Sequence, residues 1–332
     1  MNLSIFNSSG SVWVGGILGF VILLLLWEAY WRTEGYWPSV VDDVELWSLE
    51  YQSVLNDEKA VALLGSSRMQ LDVDPVVFKQ EFPNCNFYHL SINGGQAPPV
   101  LDLLANDQAF KGKVLVELTA NSFYPSTWGR ASEWVDLNGR VAPQQLVDRW
   151  LRRIIEEKFV TLLPELSMVE IVRGISNGAP LSEPKHVYFK GNRTGVADFS
   201  DTNVDRLHAN FVTKGEAIFQ QNKNEYSNWH VQVDAIKVAL KKMERKGSEV
   251  LFLRFNDGGG FAELFSRYFP KAQYWDQIDT RMDVKTFHYL DYLDLHKFEP
   301  RDGLHLESKD TVAYTHMWSV ILKKSGVLSD CY

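Results

Sequence analysis

Three continuous apolar runs constrain the fold of this chain more than any other feature of its sequence. They are "KAVALLGSS" from residue 59, "KVLVELT" from residue 113 and "EVLFLRF" from residue 249. Apolar runs of this length, bounded by turn residues, are typical of strands that are buried on both faces of a parallel sheet. The chain is therefore expected to build such a sheet.

Helical segments separate these runs. We predict helices around 74–82, 99–110, 230–247 and 309–324, with a further strand at "NFYHLSI" from residue 86. Strands that alternate with helices of this length indicate βαβ units with right-handed crossovers. The predicted class is α/β, with one large domain over residues 59–332.

The pattern weakens between residues 125 and 228, where Trp, Arg, Asn, Gly and Pro are frequent and one helical stretch lies near 144–163. We interpret this segment as a large insertion within the α/β domain. Insertions over the carboxyl edge of a parallel sheet often build substrate surface.

The N-terminus carries a candidate membrane anchor, predicted over residues 1–31. Residues 12–27 contain no charge, and the stretch 12–31 reaches the roughly 20 residues that cross a bilayer. A cleaved signal peptide is the alternative, but the apolar run meets Glu28 and Arg32 instead of a small-residue cleavage site. Aromatic residues that favour the membrane interface stand at its two ends: Trp13, Trp27, Tyr30 and Trp31.

Residues 32–58 are predicted as a stalk between the anchor and the domain. Gly, Pro and Asp begin this segment, as in a connector. A short amphipathic helix follows, since apolar residues recur at helical spacing from Val44 to Val54.

Charge and cysteine content exclude several functions. A net charge of −8 and a pI near 5.5 give no basic surface for phosphate backbones, so we expect no nucleic-acid partner. Cys85 and Cys331 have no zinc-ligand spacing, so we expect no metal site and no cofactor. A disulfide between them and two separate thiols remain alternatives.

Polar residues gather where the predicted strands end. Functional groups of an open parallel sheet collect at the carboxyl ends of its strands. Ser66 and Ser67 follow the first run, where one hydroxyl either caps a helix or acts as a nucleophile. Asp302 stands three residues before His305, so its carboxylate can hold one imidazole nitrogen while the other faces the sheet edge.

Two further loops offer hydrogen-bond donors. Asn121 follows the third strand, and Gly94 or Gly95 presents a backbone N–H that no side chain obstructs. Donors aimed at a developing oxyanion are worth about 2.7 to 4 kcal/mol each in acyl transfer. Together with the N–H of Ser67, they would form an oxyanion hole.

These motifs resemble the four blocks of the SGNH, or GDSL-like, hydrolase superfamily. "GSSR" is similar to the nucleophile block with Ser67 as nucleophile, "NGG" to the glycine block, "TANS" to the asparagine block, and "DGLH" to the closing D-x-x-H. The resemblance covers residues 61–124 and 249–324. It implies a flavodoxin-like three-layer α/β/α sandwich and a triad of Ser67, His305 and Asp302.

The chain departs from the family pattern at two positions. Ser66 stands where aspartate is usual, and Thr119 where glycine is common. A serine at this position also occurs in membrane-anchored relatives that help to acylate cell-surface polymers in alginate, teichoic-acid and cellulose modification. A domain that follows an N-terminal anchor resembles that subgroup. That resemblance implies a single-pass protein of the cytoplasmic membrane with its domain on the periplasmic side.

Other residues allow two interpretations each. Arg68 and Arg254 would either bind an anionic substrate or form structural salt bridges. "NDGGGF" from residue 256 lacks the lysine of a phosphate-binding loop, which favours a mobile turn beside the site. His288 and His296 flank two aspartates, where a solvated loop is favoured over a metal site. Tryptophans of the insertion would stack on sugars or pack in the core: Trp128, Trp134, Trp150 and Trp229.

Two functions follow from these residues. The first is a serine esterase or O-acyltransferase that acts on a carbohydrate polymer through Ser67, His305 and Asp302. The acyl group that it removes or transfers is expected to be O-acetyl. The alternative is a catalytically silent module that binds a glycan or supports a membrane-bound acyltransferase partner. Retention of all three triad residue types favours the enzyme.

Overall fold

The fold is organised around a five-stranded sheet in the order β2-β1-β3-β6-β7, and every pairing within it is parallel. The computed structural model describes residues 4–178, 183–222 and 228–332. The α/β class and the parallel sheet predicted from the sequence are confirmed. The strands are β1 Ala60–Leu64, β2 Asn86–His89, β3 Lys113–Glu117, β4 Val187–Phe189, β5 Gly195–Ala197, β6 Val250–Arg254 and β7 Lys285–His288, with β4 and β5 forming a separate antiparallel hairpin.

Helices lie between the strands, as the alternation of the sequence predicts. Shorter 3-10 turns follow β3 at Ala120–Phe123 and lie within the insertion at Val160–Leu162 and Pro164–Leu166. The helices are α1 Ser4–Thr33, α2 Val44–Leu55, α3 Ser67–Asp72, α4 Pro75–Glu81, α5 Ala97–Asn106, α6 Gly129–Asn138, α7 Pro143–Glu156, α8 Met168–Ser176, α9 Val204–Gln221, α10 Trp229–Arg245, α11 Gly259–Tyr268, α12 Ile278–Met282 and α13 Ser308–Lys324.

Alternate residues of β1, β3 and β6 enter two separate hydrophobic clusters, one on each face of the sheet. Ala62 and Leu64 of β1 pack in the cluster that contains residues of α2, α5 and α10. Val61 and Leu63 pack in the cluster that contains residues of α4 and α13. Burial on both faces is why the strands are apolar without alternation.

The carboxyl ends of the central strands lie at one level. Leu63 pairs with both His89 and Leu115, and Glu117 pairs with Leu253. The loops that follow β1, β2, β3 and β6 therefore begin along a single edge, which is where an open parallel sheet builds its binding sites.

The segment predicted as a stalk contributes one helix to the folded domain. Within α2, Trp47 and Tyr51 are buried in the cluster on the sheet, and the indole Nε1 of Trp47 donates to Leu90 O at 3.0 Å. The buried apolar side chains of α2 account for the helical spacing of this segment. The α2 part of residues 32–58 is thus packed against the sheet.

The described parts of the 125–228 insertion contain α6 to α9 and the β4–β5 hairpin. Arg193, in the turn of this hairpin, is fully buried and pairs with Asp42 at 2.7 Å. Its guanidinium also donates to His89 O at 2.7 Å. The insertion is therefore tied to the end of β2 by a buried, charge-assisted contact.

Within the described residues, one helix is long and apolar enough to span a membrane. Its span covers Gly10–Thr33, 24 residues. The most apolar stretch of this span has a mean hydropathy of 2.2, and no part of that stretch is buried in the protein. The anchor predicted at 1–31 overlaps this helix, and residues 1–3 lie outside the described part of the chain.

Cys85 and Cys331 form a disulfide, which resolves the two alternatives that their spacing left open. Their Cα atoms are 5.0 Å apart and 246 positions separate them along the chain. The bond joins the segment before β2 to the C-terminus and closes almost the whole domain into one loop.

Substitution of either cysteine by serine is expected to lower the free energy of unfolding by about 2 to 5 kcal/mol, because closure of so long a loop restricts the unfolded chain. Denaturant unfolding of the detergent-solubilised chain, followed by tryptophan fluorescence, measures the loss. Since Cys85→Ser and Cys331→Ser remove the same bond, the double variant should lose no more than either single variant. Additive losses would contradict the bond.

Candidate active site

A glycine gives the turn after β1 its sharp geometry. A Cβ at Gly65 would lie 2.8 Å from the Cβ of Met69 and 3.0 Å from that of Glu117. Only glycine fits so close to β3, and the chain enters α3 directly behind it.

The two adjacent serines have different surroundings. Ser66 is the N-cap of α3: its Oγ accepts from Arg68 N at 3.3 Å and donates to Glu117 Oε2 at 3.0 Å. Ser67 is the first residue of the helix, and its Oγ lies 2.8 Å from Nε2 of His305. Ser66 is therefore a structural cap, and Ser67 contacts the histidine.

The loop before α13 holds His305 in a fixed orientation. Its Nδ1 lies 2.8 Å from Oδ2 of Asp302. The other carboxylate oxygen accepts the backbone N–H groups of Leu304 at 2.9 Å and His305 at 2.7 Å. With Nδ1 protonated toward the carboxylate, Nε2 is left to accept the hydroxyl proton of Ser67. The structure thus brings Ser67, His305 and Asp302 into one continuous hydrogen-bonded chain.

Burial and charge act in opposite directions on His305. Burial alone would lower its pKa, but the hydrogen bond and charge of Asp302, together with the charge of Asp72, raise the pKa above its ordinary value. For Asp302 itself, burial acts to raise the pKa, and the bonds from His305 and Leu304 N–H hold it below the usual range. The aspartate therefore stays ionised beside the imidazole.

Asp72 is a site residue that the sequence analysis missed. It ends α3 and is buried, and its Oδ1 accepts Leu306 N at 2.9 Å. Burial raises its pKa to about 7, against the opposing charges of His305 and Arg68. An aspartate in "QLDVD" carries no motif signal, because only folding brings it beside a residue 233 positions away.

The two glycines after β2 are used differently. The N–H of Gly95 donates to Ile92 O at 2.8 Å, so it closes the turn. Gly94 is exposed, with φ +70°, in the left-handed region that favours glycine. Of the two, Gly94 is thus the residue whose N–H can serve an outside acceptor.

Asn121 lies in the 3-10 turn directly after β3. Thr119 Oγ1 donates to Asn121 Oδ1, and Thr119 N donates to Ser122 Oγ at 3.0 Å. With its carbonyl oxygen engaged by Thr119, the side chain has Nδ2 as its donor end. Thr119 therefore orients the asparagine.

Arg68 and Arg254 form structural ion pairs. Both are buried and both pair with Asp257, Arg68 at 2.9 Å to Oδ1 and Arg254 with Oδ2. Arg68 also donates to Asn256 O, and Arg254 to Phe255 O at 2.9 Å. Of the two interpretations that the sequence allowed, the structure shows the salt bridges.

The "NDGGGF" stretch packs closely against neighbouring segments. Asn256 Nδ2 donates to the carbonyls of Leu295 and Phe298. At Gly259, with φ +47°, a Cβ would lie 2.4 Å from the imidazole of His208 in α9. These glycines therefore make room for a helix of the insertion.

The insertion covers the histidine of the site. The ring of Phe211 in α9 makes an edge contact with that of His305, at 6.1 Å between centroids. A cavity of about 200 Å³ begins beside the glycine turn, with Asn93 and Arg130 in its wall. The wall also contains residues of the connector, the hairpin and the turn after α7: Tyr36, Trp37, Val40, Asp42, Leu163, Glu165, Lys185 and Tyr188.

The remaining candidates are two histidines and four tryptophans. His288 is buried at the end of β7 and His296 is exposed, and no group of three or more metal-ligating residues occurs in the described ranges. Trp128, Trp134 and Trp229 are wholly or partly buried in a packed cluster. Trp150, on α7, is exposed.

No family model matches the chain, and no curated protein matches it either. The chemistry of the site therefore follows from the geometry of these residues alone.

The rate at which a fluorophosphonate modifies Ser67 should rise with pH, because His305 must be neutral to accept the serine proton. Since the pKa of His305 is raised, the midpoint is expected above about 6.5. Asp72→Asn removes a charge that favours the imidazolium, so the midpoint should move to lower pH. Intact mass against time measures the rate.

Asp294→Asn is the matched control, because it removes the same charge from an exposed position. It should leave the midpoint unchanged. A midpoint that is the same in the wild type and Asp72→Asn would contradict the role of Asp72.

Proposed function

We propose that the chain is a serine esterase or O-acyltransferase that acts on a carbohydrate polymer. The observation that carries this proposal is the unbroken series of hydrogen bonds from Ser67 Oγ through His305 to Asp302, each 2.8 Å long. A hydroxyl, an imidazole and a carboxylate in this order form the arrangement that activates serine for acyl transfer.

The sheet supports the resemblance to SGNH hydrolases, and with it a flavodoxin-like three-layer sandwich. The strand order β2-β1-β3-β6-β7 with clusters on both faces fits such a layered fold. The serine, glycine and asparagine motifs directly follow three adjacent strands of this sheet. In this family an aspartate is usual at position 66, but here it would bring a second carboxylate against Glu117. A serine suits that buried neighbour.

Acyl transfer would proceed in two steps. His305 Nε2 takes the proton of Ser67 as Oγ attacks the acyl carbon, and the carbonyl oxygen becomes an oxyanion. The N–H of Ser67, the N–H of Gly94 and Nδ2 of Asn121 are the donors for this oxyanion. The intermediate then expels the alcohol, which takes the proton from His305.

The acyl-serine is resolved by a second nucleophile. His305 removes a proton from water or from a sugar hydroxyl, whose oxygen attacks the acyl carbon. The bond from the acyl carbon to Ser67 Oγ then breaks, and Oγ takes the proton back from His305. Water gives hydrolysis and the sugar gives transfer. Asp302 holds the tautomer of His305 and stabilises its charge in both steps.

The proposed location is the outer side of the cytoplasmic membrane, with α1 as a single-pass anchor. The length and apolarity of α1 support the anchor. The disulfide between Cys85 and Cys331 supports an oxidising compartment for the domain. Together these features suit an enzyme that modifies an exported polymer.

Ser67→Ala should abolish both hydrolysis of an activated acetyl ester and formation of an acetyl-enzyme, because it removes the attacking oxygen. Ser66→Ala is the neighbouring control. It should still form the acetyl-enzyme, while the loss of its cap and its bond to Glu117 lowers stability by about 1 kcal/mol. Intact mass of the detergent-solubilised chain and the rate of ester hydrolysis measure both outcomes.

The alternative of a silent module predicts a different result. Wild type and Ser67→Ala would then turn over the ester at the same background rate, and neither would carry an acetyl group. That result would leave a glycan-binding or scaffolding partner of a membrane-bound acyltransferase as the function.

A further inference from the structure

Helix α7 turns an apolar face to solvent and polar residues toward the protein. The exposed face repeats at helical spacing and is 45% to 61% accessible, with Val147, Trp150, Leu151, Ile154 and Ile155. The reverse face is buried and charged. This is the opposite of the pattern in a helix that packs on a soluble domain.

The buried charges of α7 are paired, so the orientation of the helix is held in place. Arg149 pairs with Asp43 at 3.0 Å and with Glu156 at 3.0 Å. Arg149 Nη2 also donates to Val41 O, and Glu156 Oε2 accepts Val41 N at 3.1 Å. Rotation of the apolar face inward would break these contacts.

Helix α8 carries a second exposed apolar face. Ile171 is buried, whereas the other apolar side chains of the helix are 58% to 71% accessible. Contiguous apolar surface of this kind marks a site of contact with a protein or a membrane. These exposed residues are Met168, Val169, Val172 and Ile175.

The segment between the two helices is bound to the last turns of α1. Glu28 accepts the backbone N–H groups of Val160 at 2.9 Å and Thr161 at 3.0 Å, and Arg32 donates to Lys158 O at 2.8 Å. Phe159 and Leu162, beside these contacts, are also exposed. The apolar faces therefore lie at the end of the helix that is long enough to span a membrane.

Trp31 at the end of α1 is buried in the same cluster as Ile171 of α8. Leu24, Leu25 and Leu26, one to two turns earlier in α1, are exposed. If lipid surrounds those leucines, the aromatic residues around Trp31 lie at the level of the membrane interface. Indole rings favour that interface. The faces of α7 and α8 begin at that same end of α1.

We infer that α7 and α8 lie in the interface of the bilayer leaflet next to the folded domain, with their apolar side chains among the lipid chains near the headgroups. The inference rests on the proposed role of α1 as an anchor and does not depend on catalysis. Amphipathic helices bind in this way with their apolar face buried about 5 to 10 Å into the boundary. Continuity with α1 favours lipid over a protein partner.

This contact would place one end of the cavity that begins at Asn93 near the membrane surface. Tyr36 and Leu163 line the cavity that begins at Asn93, and both pack in the cluster of Trp31. The cavity thus extends from Asn93, which precedes Gly94, to the cluster around Trp31 at the end of α1. A substrate or donor held at the surface would reach it from the interface.

Nitroxide labels on the full chain test this inference. The chain is placed in nanodiscs of phosphatidylethanolamine and phosphatidylglycerol, with labels at Leu151→Cys, Ile155→Cys or Val172→Cys. Collisions with oxygen, which enters lipid, should exceed those with a nickel chelate, which stays in water. The native cysteines are joined as a disulfide and do not react.

Val238→Cys on α10 and Val312→Cys on α13 are matched controls, because these valines are 55% and 57% exposed. Nickel collisions should dominate at both. Equal nickel accessibility at the α7 and control positions would overturn the inference and indicate a surface for a protein partner.

A label at Leu24→Cys reports on α1 separately. If this position lies in lipid while the α7 and α8 labels lie in water, only the interfacial contact fails. If Leu24→Cys is itself in water, the anchor fails and the inference fails with it. The acetyl-enzyme assay of Ser67 is independent of both results.

Discussion

The buried carboxylate of Asp257 joins the parts of the candidate site. It accepts hydrogen bonds from Arg68 of α3 and from Arg254 at the end of β6, and all three side chains are nearly inaccessible to water. Removal of one partner from such a pair typically costs 3 to 5 kcal/mol, because a buried charge is left alone. Since Arg68 follows Ser67 in the chain, this ion pair also fixes the start of α3.

The six residues of α3 contact the histidine loop at both ends. Ser67 at its beginning meets the imidazole of His305, and Asp72 at its end accepts Leu306 N. A rigid helix thus sets the distance between the hydroxyl and a second buried carboxylate. This explains how a site can have one aspartate that orients the imidazole and another that adjusts its pKa.

Sequence patterns were sufficient for four of the five strands of the sheet and for the three hydrogen-bonded residues, whereas β7 at the sheet edge and the β4–β5 hairpin were not predicted. Strands buried on both faces leave continuous apolar runs, and parallel topology brings their following loops to one edge, so Ser67 and Asn121 could be assigned to that edge. Glu117 and Asp72 were missed, because their partners are 51 and 234 positions away. The ion pairs of Arg68 and Arg254 depended likewise on tertiary contacts. The sequence predicts α7 as a helix, but it does not show that the apolar face of α7 points to solvent. That orientation depends on the buried ion pairs of Arg149.

The proposed active site can be tested most directly by a structure of the chain after reaction with a phosphonate ester. We expect phosphorus bonded to Ser67 Oγ, with the phosphoryl oxygen about 3 Å from Gly94 N and Asn121 Nδ2, because these are the donors proposed for the developing oxyanion. His305 should stay hydrogen-bonded to Asp302. An adduct on another residue, or a phosphoryl oxygen that points away from both donors, would contradict the proposed active site.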